Sequence, residues 1–177
     1  MKRILPVLLA FAASIGGSVS SGCGYHIAGK AELMPKNIHT IFIEPFHAGT
    51  PRADIPRLLA ADLAREFLSR TRFQIVSDPK QADAVLAGAI TNFVSFSTTT
   101  DPVTARSTGA QVILQMNIYM NERTTGKSLF ARNGYEFRER YEISENAATY
   151  FDESGTAVQR VTRDAARSIV SAILEDF

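Results

Sequence analysis

Between Gln111 and Asn121 the side chains alternate without a break. Val112, Leu114, Met116, Ile118 and Met120 are apolar, and the residues between them are mainly polar: Gln111, Gln115, Asn117 and Asn121, with Ile113 and Tyr119 among them. A period of two is the signature of a β-strand with one face in a core and the other in water. Thr124 to Lys127 then makes a hairpin turn into a second such run, about Leu129 to Ile143. There Leu129, Ala131, Tyr135, Phe137, Tyr141 and Ile143 are expected on one face, and Arg132, Glu136, Arg138, Arg140 and Glu142 on the other. Two neighbouring strands thus agree on a buried face and a charged one, the pattern of an antiparallel sheet covered on one side only.

Two amphipathic helices supply the cover. The first begins near Asp54, a suitable N-cap, with Pro56 in its first turn. Ile55, Leu58, Leu59, Leu63 and Phe67 form its apolar stripe, with Arg57, Asp62, Arg65, Glu66 and Arg70 facing elsewhere. The second runs from about Ser154 to Glu175 and buries Val158, Val161, Ala165, Ile169, Ala172 and Ile173; its Arg160, Arg163 and Arg167 read as a solvated stripe. Ile38 to Glu44, ended by Pro45, Phe73 to Val76 and Ala84 to Phe96 add strands. Phe46 to Pro51 and the Ser/Thr-rich Ser97 to Gly109 read as loops, and Ser77 to Ala82 as a turn. The fold class is α+β: a two-layer α/β sandwich, two helices packed on one face of a roughly four-stranded mixed sheet.

The N-terminus has a different character. Met1, Lys2 and Arg3 precede an apolar run from Ile4 to Ile15, and small residues follow up to Cys23, the order of a secretory signal. The run falls well short of the roughly 20 residues that a helix needs to cross a bilayer. Cys23 is the only cysteine, so neither an internal disulfide nor a cysteine zinc site is possible. An unpaired thiol is a liability in an oxidising compartment. Ser20-Ser21-Gly22-Cys23 instead fits a lipoprotein cleavage box at Ser21 and Gly22, with Ser20 where leucine is usual. Cys23 is therefore expected to be the acylated first residue of the mature chain, carrying diacylglycerol and palmitate-type chains. Each buried methylene contributes about 0.8 kcal/mol, and two or more chains anchor stably. Residues 1–22 are then the signal peptide and 23–177 a single domain. Gly24, where aspartate would retain a lipoprotein in the inner membrane, points to the outer membrane on its periplasmic side.

Catalytic motifs do not survive inspection. Thr125-Gly126-Lys127-Ser128 resembles the end of a phosphate-binding loop, but Asn121 stands where the first glycine belongs, and the stretch joins two strands. Ser77-Asp78-Pro79-Lys80 has the S-x-x-K spacing of a serine nucleophile without its companion motifs. His26, His39 and His47 lack metal-ligand spacing. No nucleophile elbow is present. The chain is read as no enzyme, with no catalytic residue, no metal and no cofactor beyond the acyl group. With 19 basic residues against 18 acidic ones, charge gives no support for nucleic-acid binding.

Cys23 to Gly29 (CGYHIAG), Pro35 and Ile38 to Phe46 (IHTIFIEPF) resemble the N-terminal signature of the LPS-assembly lipoprotein LptE family. The similarity continues through Leu58 to Arg70 (LLAADLAREFLSR), Phe73 to Val76 and Ala82 to Gly88 (ADAVLAG). The resemblance implies a lipid-anchored plug inside an LptD-like outer-membrane β-barrel, passing lipopolysaccharide to the outer leaflet with no covalent chemistry of its own. A barrel lumen is polar, and a polar sheet face suits it. Lipid A carries phosphates, which arginine and lysine bind by charge-assisted hydrogen bonds. Candidates for lipopolysaccharide binding are Arg106, Arg123, Lys127, Arg132, Arg138 and Arg140. The alternative is another outer-membrane lipoprotein of similar shape, such as a peptidoglycan-synthase activator or a CsgG-like secretion component.

Overall fold

The structure is a computed structural model and describes residues 37–49, 52–143 and 154–176. The expected leader, Cys23 and the CGYHIAG block lie outside the described residues. Along the chain come β1 (Thr40–Ile43), β2 (His47–Ala48), α1 (Asp54–Arg70), β3 (Gln74–Val76), a 3-10 turn (Pro79–Gln81), β4 (Ala84–Thr100), β5 (Ser107–Glu122), β6 (Ser128–Glu142) and α2 (Ser154–Glu175). The strands form one mixed sheet in the order β3-β1-β4-β5-β6, with β2 beside β4. β1 runs parallel to β3 and β4, and β2 parallel to β4; β4, β5 and β6 form an antiparallel meander. Two helices cover one face, as the periodicity implied.

Among the described residues the sheet has six strands rather than roughly four. Part of the difference is Pro45. Proline has no N–H to donate, so pairing stops there. The chain nevertheless stays alongside β4, with Glu44 N–H on Leu86 O at 2.9 Å and Gly49 N–H on Ile90 O at 2.9 Å, and resumes as β2. Phe46, buried in this break, lies on Gly88, where an added Cβ would sit 2.7 Å from its ring and 2.5 Å from Asn117 O. Only glycine leaves that ring room.

The Ser/Thr-rich segment is strand, not loop. β4 continues to Thr100 and β5 begins at Ser107, leaving 101–106 as the connection. β-branched threonine suits a pleated strand as readily as a turn. The turn itself is organised by Asp101, whose Oδ1 accepts from the N–H groups of Val103 (2.8 Å) and Thr104 (2.6 Å).

α1 departs from expectation at two residues. Its N-cap is Ala53, without a side-chain bond; Asp54 is the first helical residue and pairs with Arg52 at 3.0–3.1 Å. Arg52 thereby holds the Asp54 carboxyl below its ordinary range. Asp62 is buried rather than solvent-facing: its Oδ2 accepts from Thr162 of α2 at 2.8 Å, and Arg65 pairs with the other oxygen. Position 62 sits on the flank of the Ile55-Leu59-Leu63-Phe67 stripe, and the flank is what α2 packs against. The core joins this stripe to Ile41, Leu86, Ile90, Leu114, Met116, Ile118, Met120 and Ile169, all fully buried. Each such side chain contributes about 1.5–3 kcal/mol of burial.

A bulge divides β6. Met116 pairs with Tyr135 but Ile118 pairs with Arg132, so Asn133 and Gly134 together oppose Asn117. Gly134 has φ +64°, open to glycine at little cost, and its N–H donates to Asn117 Oδ1 at 2.9 Å. The extra residue flips the parity. Tyr135, Phe137 and Tyr141 keep the helix-facing side, but just before the bulge that side belongs to Phe130 and Arg132, not to Ala131; Leu129, at a second register shift beside Met120 and Asn121, still packs partly buried against the core.

Candidate functional site

The face of the sheet without helices is the surface most available for recognition. In an antiparallel ladder, directly opposed residues share a face. Register therefore sets three rows across β4, β5 and β6: Phe96-Gln111-Arg140, Val94-Ile113-Arg138 and Asn92-Gln115-Glu136. Gln115 Nε2 donates to Glu136 Oε2 at 2.5 Å, and Arg138 donates from Nε to Glu136 Oε1 at 2.6 Å. These bonds hold the Glu136 carboxyl below its usual range, Gln115 contributing most. Among the described residues, Arg140 has no ion-pair partner. The face is amphipathic rather than polar throughout, because Val94 and Phe96 remain 39% and 45% exposed.

The six candidate cations do not form one cluster. Arg106 ends the β4–β5 connection, and Arg138 and Arg140 lie on the open face in the same half of the sheet. Arg123 and Lys127 occupy the β5–β6 turn at the other end. Arg123 is committed there: its Nε donates to Ala82 O at 2.5 Å and its backbone N–H to Asp83 O at 2.8 Å. Arg132 is on the helix-facing side, not the open face, its guanidinium 5.7 Å from the Phe130 ring and 5.4 Å from Tyr135. That is the consequence of the Gly134 bulge.

The half of the molecule carrying Arg106, Arg138 and Arg140 also holds an open cleft of about 980 Å³. Thr98, Thr99, Thr108, Tyr141, Arg140 and Arg160 line it. Arg160, at the start of α2, is held by Glu139 at 2.6 Å. Tyr141 reaches Ser95 Oγ at 3.2 Å. Hydroxyls and guanidinium groups together suit a polyhydroxylated, anionic ligand. Sequence reading missed the threonines and Val94 and Phe96; alternation of Asn92, Val94 and Phe96 was the available signal. No group of histidine, cysteine and carboxylate side chains among the described residues could hold a metal, and no described helix is long and apolar enough to cross a membrane.

Comparison with known proteins adds the following. A family model described as LptE, lipopolysaccharide-assembly, matches residues 38–173. No curated protein matches the chain in sequence. Among solved structures, the fold is similar to uncharacterized lipoprotein B from Nitrosomonas europaea, at 12% identity over 77% of this chain and 83% of that one, with a TM-score of 0.54. It is also similar to a protein from Xanthomonas campestris, at 11% identity over 78% and 85% of the two chains, with a TM-score of 0.51. At such identities the likeness concerns the fold alone.

Proposed function

The chain belongs to the LptE lipopolysaccharide-assembly family, and from that membership we propose that it is an outer-membrane lipoprotein, tethered through acylated Cys23, that plugs an LptD-like β-barrel and helps pass lipopolysaccharide to the outer leaflet. The observation that carries the reading is the uncovered three-stranded face. Helices pack on its other side, where Leu114, Met116, Ile118 and Met120 are buried, while Gln111, Gln115, Arg138 and Arg140 present hydrogen-bonding groups outward, as a wall facing a polar lumen requires. Its role is binding and occupancy, not bond-making.

The ends of the sheet support an orientation. Asn37 donates to Glu122 Oε1 at 2.6 Å, so the described chain begins beside the β5–β6 turn. β5 has 16 residues, and at about 3.3 Å each the 101–106 tip is some 50 Å away. Arg106, Arg138, Arg140 and the cleft would then lie toward the end remote from Asn37, where lipid A phosphates would find cations.

Detergent extraction and pull-down on the chain with intact Cys23 tests the reading. An outer-membrane barrel is expected to co-elute in equal amount, and mass spectrometry should find Cys23 acylated. Recovery of a peptidoglycan enzyme alone, or of an unmodified thiol on soluble material, would reject it.

A further inference from the structure

The two long edges of the sheet are guarded very differently. β6 forms one edge, and Arg132, Glu136, Arg138, Glu139, Arg140 and Glu142 lie along it. Charges and a bulge are the usual means by which an edge strand avoids pairing with another chain. The other edge is shared. β1 pairs with β4 at 84–86 and β2 at Ala89 and Ile90; beyond that point no described strand lies beside β4. The stretch from Asn92 to Thr100, beside which no described strand runs, reads NFVSFSTTT, with no charge, no proline and no glycine, and Arg52 lies over the Phe93 ring at its start, 6.0 Å from the centroid. It extends about 30 Å.

The direction of its backbone groups follows from the ladder. Ile90 O accepts from the N–H of Gly49, just after β2, so Ile90 aims away from β5. Ile90 pairs with Met116, and Phe93, Ser95 and Ser97 pair with Leu114, Val112 and Ala110, the same alternate set on β5. Phe93, Ser95 and Ser97 therefore turn their N–H and C=O groups outward too. These groups have no backbone partner among the described residues, and Val94 and Phe96 between them are exposed on the open face.

We propose that this edge pairs with the same edge of a second copy of the chain, antiparallel about a two-fold axis through Ser95. The sequence is self-complementary in that register. Ser95 meets Ser95, Phe93 meets Ser97, and about six backbone hydrogen bonds close the ladder. On the open face Val94 of one copy lies opposite Phe96 of the other, so both exposed apolar side chains become cross-strand pairs. No like charges oppose one another anywhere along the stretch. The contact is small for a protein interface, which places it among weak, reversible associations. It is independent of lipopolysaccharide and of the barrel.

Sedimentation velocity on the full chain carrying Cys23→Ser, without lipopolysaccharide, tests this from about 5 to 500 µM. A reversible monomer–dimer equilibrium is expected. Val94→Lys and, separately, Phe96→Lys place a charge on the edge at exposed sites and should weaken association about tenfold or more. Oxidation of a Ser95→Cys variant in the same background should give a disulfide-linked dimer, whereas Ser128→Cys on β6 should not. A chain that stays monomeric at the highest concentration, association that neither lysine variant weakens, or equal cross-linking at 128 would overturn the proposal. Cross-linking of the Ser95→Cys variant to a different protein in the periplasm, with none to itself, would also overturn it.

Discussion

Asp83 joins the beginnings of two strands with a single carboxylate oxygen. Its Oδ2 accepts from His39 N–H at 2.8 Å and Thr40 N–H at 2.9 Å, and its own N–H donates to Thr40 O at 3.0 Å and Thr40 Oγ1 at 2.9 Å. β1 is only four residues long, so these bonds set where it enters the sheet. Hydrogen bonds to a charged group contribute about 1.5–3 kcal/mol each when buried and less when exposed. Asp83→Ala is therefore expected to lower stability by about 1–2 kcal/mol in urea unfolding. The pKa gives a second readout. The backbone bond from His39 is the largest cause holding the Asp83 carboxyl below its ordinary value. A carboxyl that binds its proton less readily folded than unfolded adds stability above the ordinary carboxylate range. That stability is lost as pH falls through the lower, folded value. The parent chain should lose more stability than Asp83→Ala between about pH 5 and pH 3. Equal pH slopes would remove Asp83 from this account.

At the scale of elements, what periodicity revealed and what it hid share a cause. β5 was legible because its alternation is unbroken, and both helices were legible from their stripes. β6 alternates equally well on paper, but the parity of a strand survives only while every residue is paired. One φ of +64° at Gly134 reverses it, and nothing in a count of apolar residues registers that event. Alternation alone therefore puts Arg132 on the wrong face. The Ser97–Thr100 stretch was hidden differently: serine and threonine serve turns and strands alike, and only its partners on β5 make it strand. Of the candidate site, Arg138 and Arg140 were placed correctly because they lie beyond the bulge. The bulge predicts its own test. Gly134→Val forces a β-branched residue to φ +64° and should cost about 1–3 kcal/mol, although an added Cβ meets nothing within 4 Å. Gly134→Asn, which tolerates that region, should cost less. If thermal unfolding ranks the two variants the other way, conformational strain is not what the glycine relieves.

The whole molecule is asymmetric along its length. At the β1 end the sheet is covered by both helices and tied down by Asp83, Arg123 and the Asn37–Glu122 bond. At the 101–106 end the meander carries the cleft, the exposed Val94 and Phe96, and the cations Arg106, Arg138 and Arg140. Recognition of an anionic, sugar-bearing lipid should follow that asymmetry. Arg138→Glu with Arg140→Glu replaces two potential phosphate donors by repulsive charges on the open face, Arg140 lining the cleft and Arg138 two residues from it. Exposed charge contacts are each worth at most about 1 kcal/mol, and reversal counts both the lost attraction and the new repulsion. Capture of lipopolysaccharide by the purified chain should fall about tenfold or more. Lys127→Glu changes net charge in the same direction at the opposite end, about 30 Å away along the strands and several screening lengths off at physiological salt. It should leave capture within about twofold. Melting temperature measured alongside separates binding from folding, since Arg138→Glu also confronts Glu136 across the lost ion pair. If Lys127→Glu proves as damaging as the Arg138, Arg140 pair, capture depends on overall charge, and the 101–106 end loses its claim to the lipid.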